Sequence, residues 1–281
     1  MDIGSLLISM GSMGGLGALF STGLSIANKK LQVDEDPKVV ALKEELPGAN
    51  CGGCGYPGCG AFAEAVAAGE AEVTDCSVAS MDAIEEMANI LGVEVSASEN
   101  LIARVMCQGG NYETAKKAEY EGIESCLAVK MLGGGEKLCE YGCLGYGECV
   151  DACSFDAIYM GDNGLPIVIE DKCTGCGNCV DACVRDVIEL HPQSEKLFVL
   201  CKNHDNPKES RQLCTKACIG CQICVRAAGD DNMYMDNNLA RVNYDNYGKD
   251  VNLPTDKCPT DCLVVLNAEE AGLEEDQEQA A

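Results

Sequence analysis

Tryptophan is absent from this 281-residue sequence, phenylalanine occurs four times and histidine twice. So little bulky material cannot fill one large hydrophobic core, and the fold must be held by something besides packing. Two imidazoles, His191 and His204, exclude haem or zinc sites built on several histidines. Positive charge is scarce as well: 20 Lys and Arg against 46 Asp and Glu leave a net charge of −26. That excludes general nucleic-acid binding, which needs a basic face. No nucleophile–base constellation, flavin motif or nucleotide loop is present. Gly133-Gly-Gly135 lacks the Lys-Ser/Thr of a phosphate loop and reads as a linker. No catalytic residue is expected on this chain.

What the sequence has in abundance is cysteine, 21 residues, and glycine, 31. Which chemistry the cysteines serve depends on the redox compartment. Ile3 to Ala27 carries no charge and is followed by Lys29 and Lys30. As a helix, that run spans roughly 37 Å, enough for a bilayer core of about 30 Å. The flanking lysines place the bulk of the chain on the cytoplasmic side of the cytoplasmic membrane. Gly11 and Gly15 form a G-x-x-x-G pair that lets another helix approach. Cytosolic thiols stay reduced, so dense cysteine spacing there points to metal ligation.

The spacing repeats. Cys149-Val-Asp-Ala-Cys153 recurs 30 residues later as Cys179-Val-Asp-Ala-Cys183. The second copy, Cys173-x2-Cys176-x2-Cys179-x3-Cys183, is the run of bacterial-type ferredoxins, whose fourth cysteine ligates the other cluster of a pair. One 4Fe–4S cluster is therefore assigned to Cys173, Cys176, Cys179 and Cys153, and its mate to Cys139, Cys143, Cys149 and Cys183. The first copy is irregular, with Cys139-x3-Cys143-x5-Cys149. A third copy, Cys218-x2-Cys221-x2-Cys224, has Ala228 where the fourth cysteine belongs. Gly248, Val251 and Pro254 replace the first three cysteines of a fourth copy that ends at Cys258. One whole ligand set is gone and the other, Cys218, Cys221, Cys224 and Cys258, is complete. The polar stretch Asp230 to Tyr247 reads as a turn-rich loop.

Upstream, Cys51-x2-Cys54-x4-Cys59-x16-Cys76 is a single-cluster site whose glycines let backbone close around an inorganic core. Met81, Ile84, Met87 and Leu91 mark an amphipathic helix after it. Four clusters leave Cys107, Cys126, Cys201, Cys214 and Cys262. Small buried hydrophobes are the plain reading of these five; Cys107, Cys126, Cys201 and Cys214 are the candidate fifth set, which only spatial proximity could support.

These features predict an α+β chain. It divides into an anchor helix at 1–30, a single-cluster domain at 31–100, a connecting segment at 101–136 and a two-cluster ferredoxin-like βαβ-type module at 137–192. A degenerate one-cluster module follows at 193–266, then an acidic tail at 267–281. Between Lys196 and Arg226 lie six basic and two acidic residues, a candidate docking site for an acidic ferredoxin.

The order of these parts resembles the B subunit of the Rnf ion-translocating electron-transport complex. The resemblance runs through Cys107-Gln-Gly-Gly110, Glu121-Gly-Ile-Glu-Ser-Cys126 and Cys139-Glu-Tyr-Gly-Cys143, and covers roughly residues 1–265. It implies an electron-relay subunit that takes electrons from reduced ferredoxin and passes them toward NAD or a membrane carrier, coupled to Na⁺ or H⁺ translocation. It further implies other membrane and cytoplasmic subunits as partners, with lipid around the anchor. The Cys51–Cys76 domain also looks like the iron–sulfur domain of corrinoid proteins. A membrane-tethered polyferredoxin serving a corrinoid or hydrogenase system is therefore the rival, and a zinc-stapled membrane scaffold is the rival of another class.

Overall fold

Among the described residues, four short antiparallel ribbons of two strands each organise the chain. A computed structural model describes residues 3–31, 36–95, 99–229, 231–246 and 255–266. Gly248, Val251, Pro254 and the tail at 267–281 lie outside the described residues.

Helix α1 (Ile3–Leu31) stands apart, with Leu16, Phe20 and Leu24 exposed. Its 29 residues extend about 43 Å. Glycines and serines interleave its leucines, however, and among the described residues no helix is long and apolar enough to cross a membrane. The expected transmembrane helix is thus present as a helix but not as an apolar span.

Helices α2 (Pro37–Glu45), α3 (Cys59–Ala68) and α4 (Met81–Leu91) pack together over Leu42, Phe62, Val66, Ile84 and Met87. Asp36 caps α2 and Ser80 caps α4, while Gly69 and Gly92 end α3 and α4 in left-handed backbone. The expected stripe on α4 buries Ile84 and Met87 but leaves Met81 exposed.

The next unit begins earlier than the expected connecting segment allowed. Strand β1 (Leu101–Val105) pairs with β4 (Ile188–Pro192), Ala103 opposite Leu190. Between them lie α5 (Cys126–Met131), α6 (Glu148–Asp151), the ribbon β2 (Ile158–Met160) with β3 (Pro166–Val168), and α7 (Asn178–Asp181). The βαβ-type expectation becomes antiparallel pairing. Helices α6 and α7 have four residues each, too short for the crossover that parallel strands require.

The last unit pairs β5 (Leu197–Val199) with β8 (Leu263–Val265), and β6 (Met233–Asp236) with β7 (Leu239–Val242). Helices α8 (Pro207–Leu213) and α9 (Ile223–Ala228) complete it. The stretch read as a loop is a hairpin around Asn237. Met233, Leu239, Ala240 and Val242 are buried, and that apolar set binds the ribbon to the core.

His191 stitches the last two units together. Its ring lies edge-on to Phe198 and Tyr244, Nδ1 is 2.7 Å from Glu195 and Nε2 is 3.2 Å from Glu189. Burial alone would lower the imidazole pKa, but the two carboxylates hold it above its ordinary value. Glu189 is held at about 2, chiefly by His191, against the effect of burial and with help from Lys202. The folded protein therefore binds the His191 proton more tightly than the unfolded chain does. That stabilisation is present below about pH 6.5 and is lost as pH rises through the raised value. Glu189 contributes above about pH 4.5 and loses its contribution as pH falls toward 2. His191→Gln is expected to cost about 1 kcal/mol near pH 6 and much less at pH 8, read from anoxic denaturant curves at the two pH values.

Candidate iron–sulfur sites

Repeated backbone geometry prepares the cysteine loops. The residue two before the third cysteine of each ferredoxin-type copy is left-handed: Gly147 (φ 79°), Gly177 (φ 85°) and Gln222 (φ 61°). It turns the chain so that α6, α7 and α9 start with a cysteine in the first turn. Three residues after the last cysteine of a copy, Asp156, Asp186 and Asp261 are left-handed as well, with φ of 50°, 52° and 49°. That turn aims a backbone N–H at sulfur, from Ala157 to Cys153 Sγ and from Val187 to Cys183 Sγ, both at 3.4 Å. Cys258-Pro-Thr-Asp261 shares the turn, which marks it as the surviving end of the fourth copy.

Cys51, Cys54, Cys59 and Cys76 line one cavity with Phe62 and Val78. Asn50 shapes its mouth, accepting from the Cys59 N–H through Oδ1 at 2.9 Å. Cys153, Cys173, Cys176 and Cys179 line a second, apolar cavity with Ile158 and Leu190. The Ala103 N–H points at Cys173 Sγ at 3.5 Å. Cys218, Cys221, Cys224 and Cys258 line a third with Val199 and Leu263. In this cavity Cys262 Sγ is 3.7 Å from Cys258 Sγ. The Cys262 thiol holds Cys258 down at about 4, while hydrogen bonds with Cys218 and Cys258 push Cys262 itself up.

The remaining cavity differs from the expected set. Cys143, Cys149 and Cys183 line it, and the fourth cysteine there is Cys126, not Cys139. Glu148 is the reason. Its carboxylate accepts from the Ser125 hydroxyl and from the Leu127 N–H at 3.2 Å, clamping the start of α5 against the start of α6. Cys139 stands instead beside Cys107: a Cβ on Gly142 would lie 3.4 Å from Cys139 Sγ and 3.6 Å from Cys107 Sγ. The irregular spacing around Cys139 was the one sequence signal of this exchange; the Ser125–Glu148 clamp left none.

The cavities of the Cys143 and Cys173 sets suit neutral or iron-bound sulfur better than free thiolate. Burial first, then neighbouring thiolates, push Cys143 and Cys179 to about 12 and Cys149 to about 11. Thiols so placed shed their protons to iron rather than to water. Among the described residues no three His, Cys, Asp or Glu side chains close on a single ion. A tetrahedral zinc staple would bring four sulfurs that close together. Four-cysteine sets around apolar cavities with backbone N–H groups aimed at sulfur fit cubane clusters.

The first three sets adjoin one another. Asn178 Nδ2 donates to the Cys51 carbonyl at 3.1 Å, bringing the first site against the second. Helices α6 and α7 pack together, with Cys149 beside Cys179. The basic stretch Lys196–Arg226 is partly neutralised in place: Lys202 pairs with Glu189, and Lys216 with Asp261 at 3.0 Å. Lys208 and Arg211 remain exposed on α8.

Comparison with known proteins places iron–sulfur families on two stretches of the chain. A family model described as "Putative Fe-S cluster" matches residues 46–78, and one described as "4Fe-4S binding domain" matches 166–189. The chain is 41% identical over 261 residues to the B subunit of the Na(+)-translocating ferredoxin:NAD(+) oxidoreductase complex of Acetobacterium woodii, covering 93% of this chain and 78% of that one. It is 42% identical to the B subunit of the ion-translocating oxidoreductase complex of Methanosarcina acetivorans, covering 79% and 84%. It is 40% identical to the B subunit of the proton-translocating ferredoxin:NAD(+) oxidoreductase complex of Clostridium ljungdahlii, covering 81% and 80%.

Proposed function

The chain belongs to the B-subunit family of Rnf-type ion-translocating oxidoreductase complexes, and on that premise we propose that it is the iron–sulfur relay through which electrons from reduced ferredoxin enter such a complex, bound for NAD or a membrane carrier. The observation that carries the reading is the series of cysteine sets from Cys51 to Cys258, the first three of them each against the next. When bound, a cubane accepts and releases one electron with no bond made or broken on the polypeptide. The residues do the rest: they hold sulfur in place, aim N–H groups at it and keep water out, which are the levers that set a potential.

In this reading Cys51, Cys54, Cys59 and Cys76 hold one cluster, and Cys153, Cys173, Cys176 and Cys179 a second. Cys126, Cys143, Cys149 and Cys183 hold a third, and Cys218, Cys221, Cys224 and Cys258 a fourth. Helix α1 attaches the chain to membrane subunits and lipid, since Leu16, Phe20 and Leu24 stand exposed among the described residues. Lys29 and Lys30 keep the remainder on the cytoplasmic side. Lys208 and Arg211 offer a positive landing point to an acidic ferredoxin.

The test is anoxic purification of the full chain with its complex. Brown protein containing iron and sulfide that bleaches on addition of reduced ferredoxin is expected; colourless, iron-free protein would refute the relay. Lys208→Glu with Arg211→Glu should slow that reduction about tenfold at low salt and flatten its salt dependence. Unchanged kinetics would move the docking site elsewhere.

A further inference from the structure

We propose that Cys107, Cys139, Cys201 and Cys214 hold a fifth 4Fe–4S cluster, placed between the Cys143 set and the Cys218 set; the proposal rests on the relay reading above. These four cysteines come from four separate segments, and no spacing rule joins them. Two glycines let their sulfurs converge. A Cβ at Gly109 would lie 3.2 Å from Cys214 Sγ and 3.7 Å from Cys107 Sγ, and Gly142 fills the corresponding notch between Cys139 and Cys107. Cys201 completes the set, lying in one buried cluster with Cys214 and Ala217.

Backbone ties hold the segments there. Ala115 donates to the Leu213 carbonyl at 2.8 Å and Thr215 to the Glu113 carbonyl at 2.9 Å, so the chain around Cys214 is paired with the loop after Cys107. Cys139, Cys201 and Cys214 are buried.

Two observations independent of the sulfurs point to an anionic group among them. Lys137 is 4% exposed and donates to the carbonyls of Gly109 at 3.3 Å and Cys143 at 3.0 Å. Among the described residues it has no carboxylate partner. A buried ammonium without a counter-charge is costly, and a cluster held by four thiolates supplies one. Asn203, 1% exposed and two residues from Cys201, has an unpartnered Nδ2. Such a buried donor wants an acceptor, and cluster sulfur is one.

The position explains why the relay does not stop at the third set. Cys143 N–H donates to Cys107 Sγ at 3.4 Å on one side, and Cys218 N–H to Cys201 Sγ at 3.3 Å on the other. A ligand of the third set and a ligand of the fourth thus each touch this one. Five sets of four account for every one of the 21 cysteines except Cys262.

Iron and sulfide counting on the full chain, loaded to saturation without oxygen, tests the proposal. About 20 iron per chain is expected, as five cubanes. A saturated count near 16 overturns the fifth site while leaving the relay standing, whereas iron-free protein would defeat both. Paired variants locate the ligands. Cys139→Ser with Cys214→Ser should remove about four iron, because both changes fall on one site, and Cys126→Ser with Cys214→Ser about eight. Equal losses in the two pairs would overturn the grouping. Should a variant fail to fold, the wild-type count still decides.

Discussion

Replacing Arg104 with alanine is expected to lower the unfolding free energy by about 3–5 kcal/mol, the largest stability loss foreseen for any side chain outside the cysteines. Arg104 lies on β1 at 4% exposure and pairs with Glu170, itself nearly buried. Its guanidinium carbon sits 5.5 Å over the Phe198 ring, so one side chain joins β1, the segment before Cys173, and β5. Nε and Nη2 have no hydrogen-bond partner, and Lys196 Nζ stands 3.9 Å from the second Glu170 oxygen. Removing the cation strands Glu170 in an apolar setting with only that distant lysine. The cost comes from the uncompensated charge rather than from the worth of the pair. Arg104→Met combined with Glu170→Leu should therefore recover most of the loss. Anoxic guanidinium titrations followed by circular dichroism would measure both, and a double variant as unstable as Arg104→Ala would contradict the account.

Gly53→Val is expected to slow electron passage between the Cys51 site and the Cys176 site, with iron content unchanged. A Cβ at Gly53 would stand 2.6 Å from the Cys176 carbonyl oxygen and 3.0 Å from its Cβ. The obstacle is backbone, which cannot swing aside, so the two units must separate. The Asn178–Cys51 hydrogen bond at 3.1 Å would open with them. Gly53 ligates nothing, so each site keeps its four cysteines. Freeze-quench EPR of the full chain, mixed with reduced ferredoxin, would show some clusters reduced and the far ones lagging. A wild-type rate would mean that this junction is not on the path.

Much of this was legible in the sequence, and the limits are physical. Three cysteine sets could be grouped from spacing, because each is three cysteines of one loop plus one more, Cys76 separated from its loop by sixteen residues and Cys153 and Cys258 from a neighbouring repeat copy. Cys126 could not be grouped, because Glu148 brings it to Cys143 through side-chain contacts that no periodicity records. Strand β1 was hidden in a segment read as connector, since five residues pairing with a strand some 85 positions later leave only a short apolar run. The hairpin at Met233–Val242 was obscured by its Asp and Asn content, which marks turns more strongly than it forbids strands. The anchor was legible as a helix, but its glycine and serine content dilutes the apolarity that a span requires.

Among the described residues the four ribbons do not merge into a common sheet. An isolated pair of strands is barely stable in water, so each ribbon depends on the packed side chains and the cysteine site beside it to stay formed. Synthesis and maturation are then one event, and a molecule that misses its delivery of iron and sulfide is a substrate for cellular proteases. The steady-state amount of this protein should follow the supply of metal in the cell more closely than the activity of its gene.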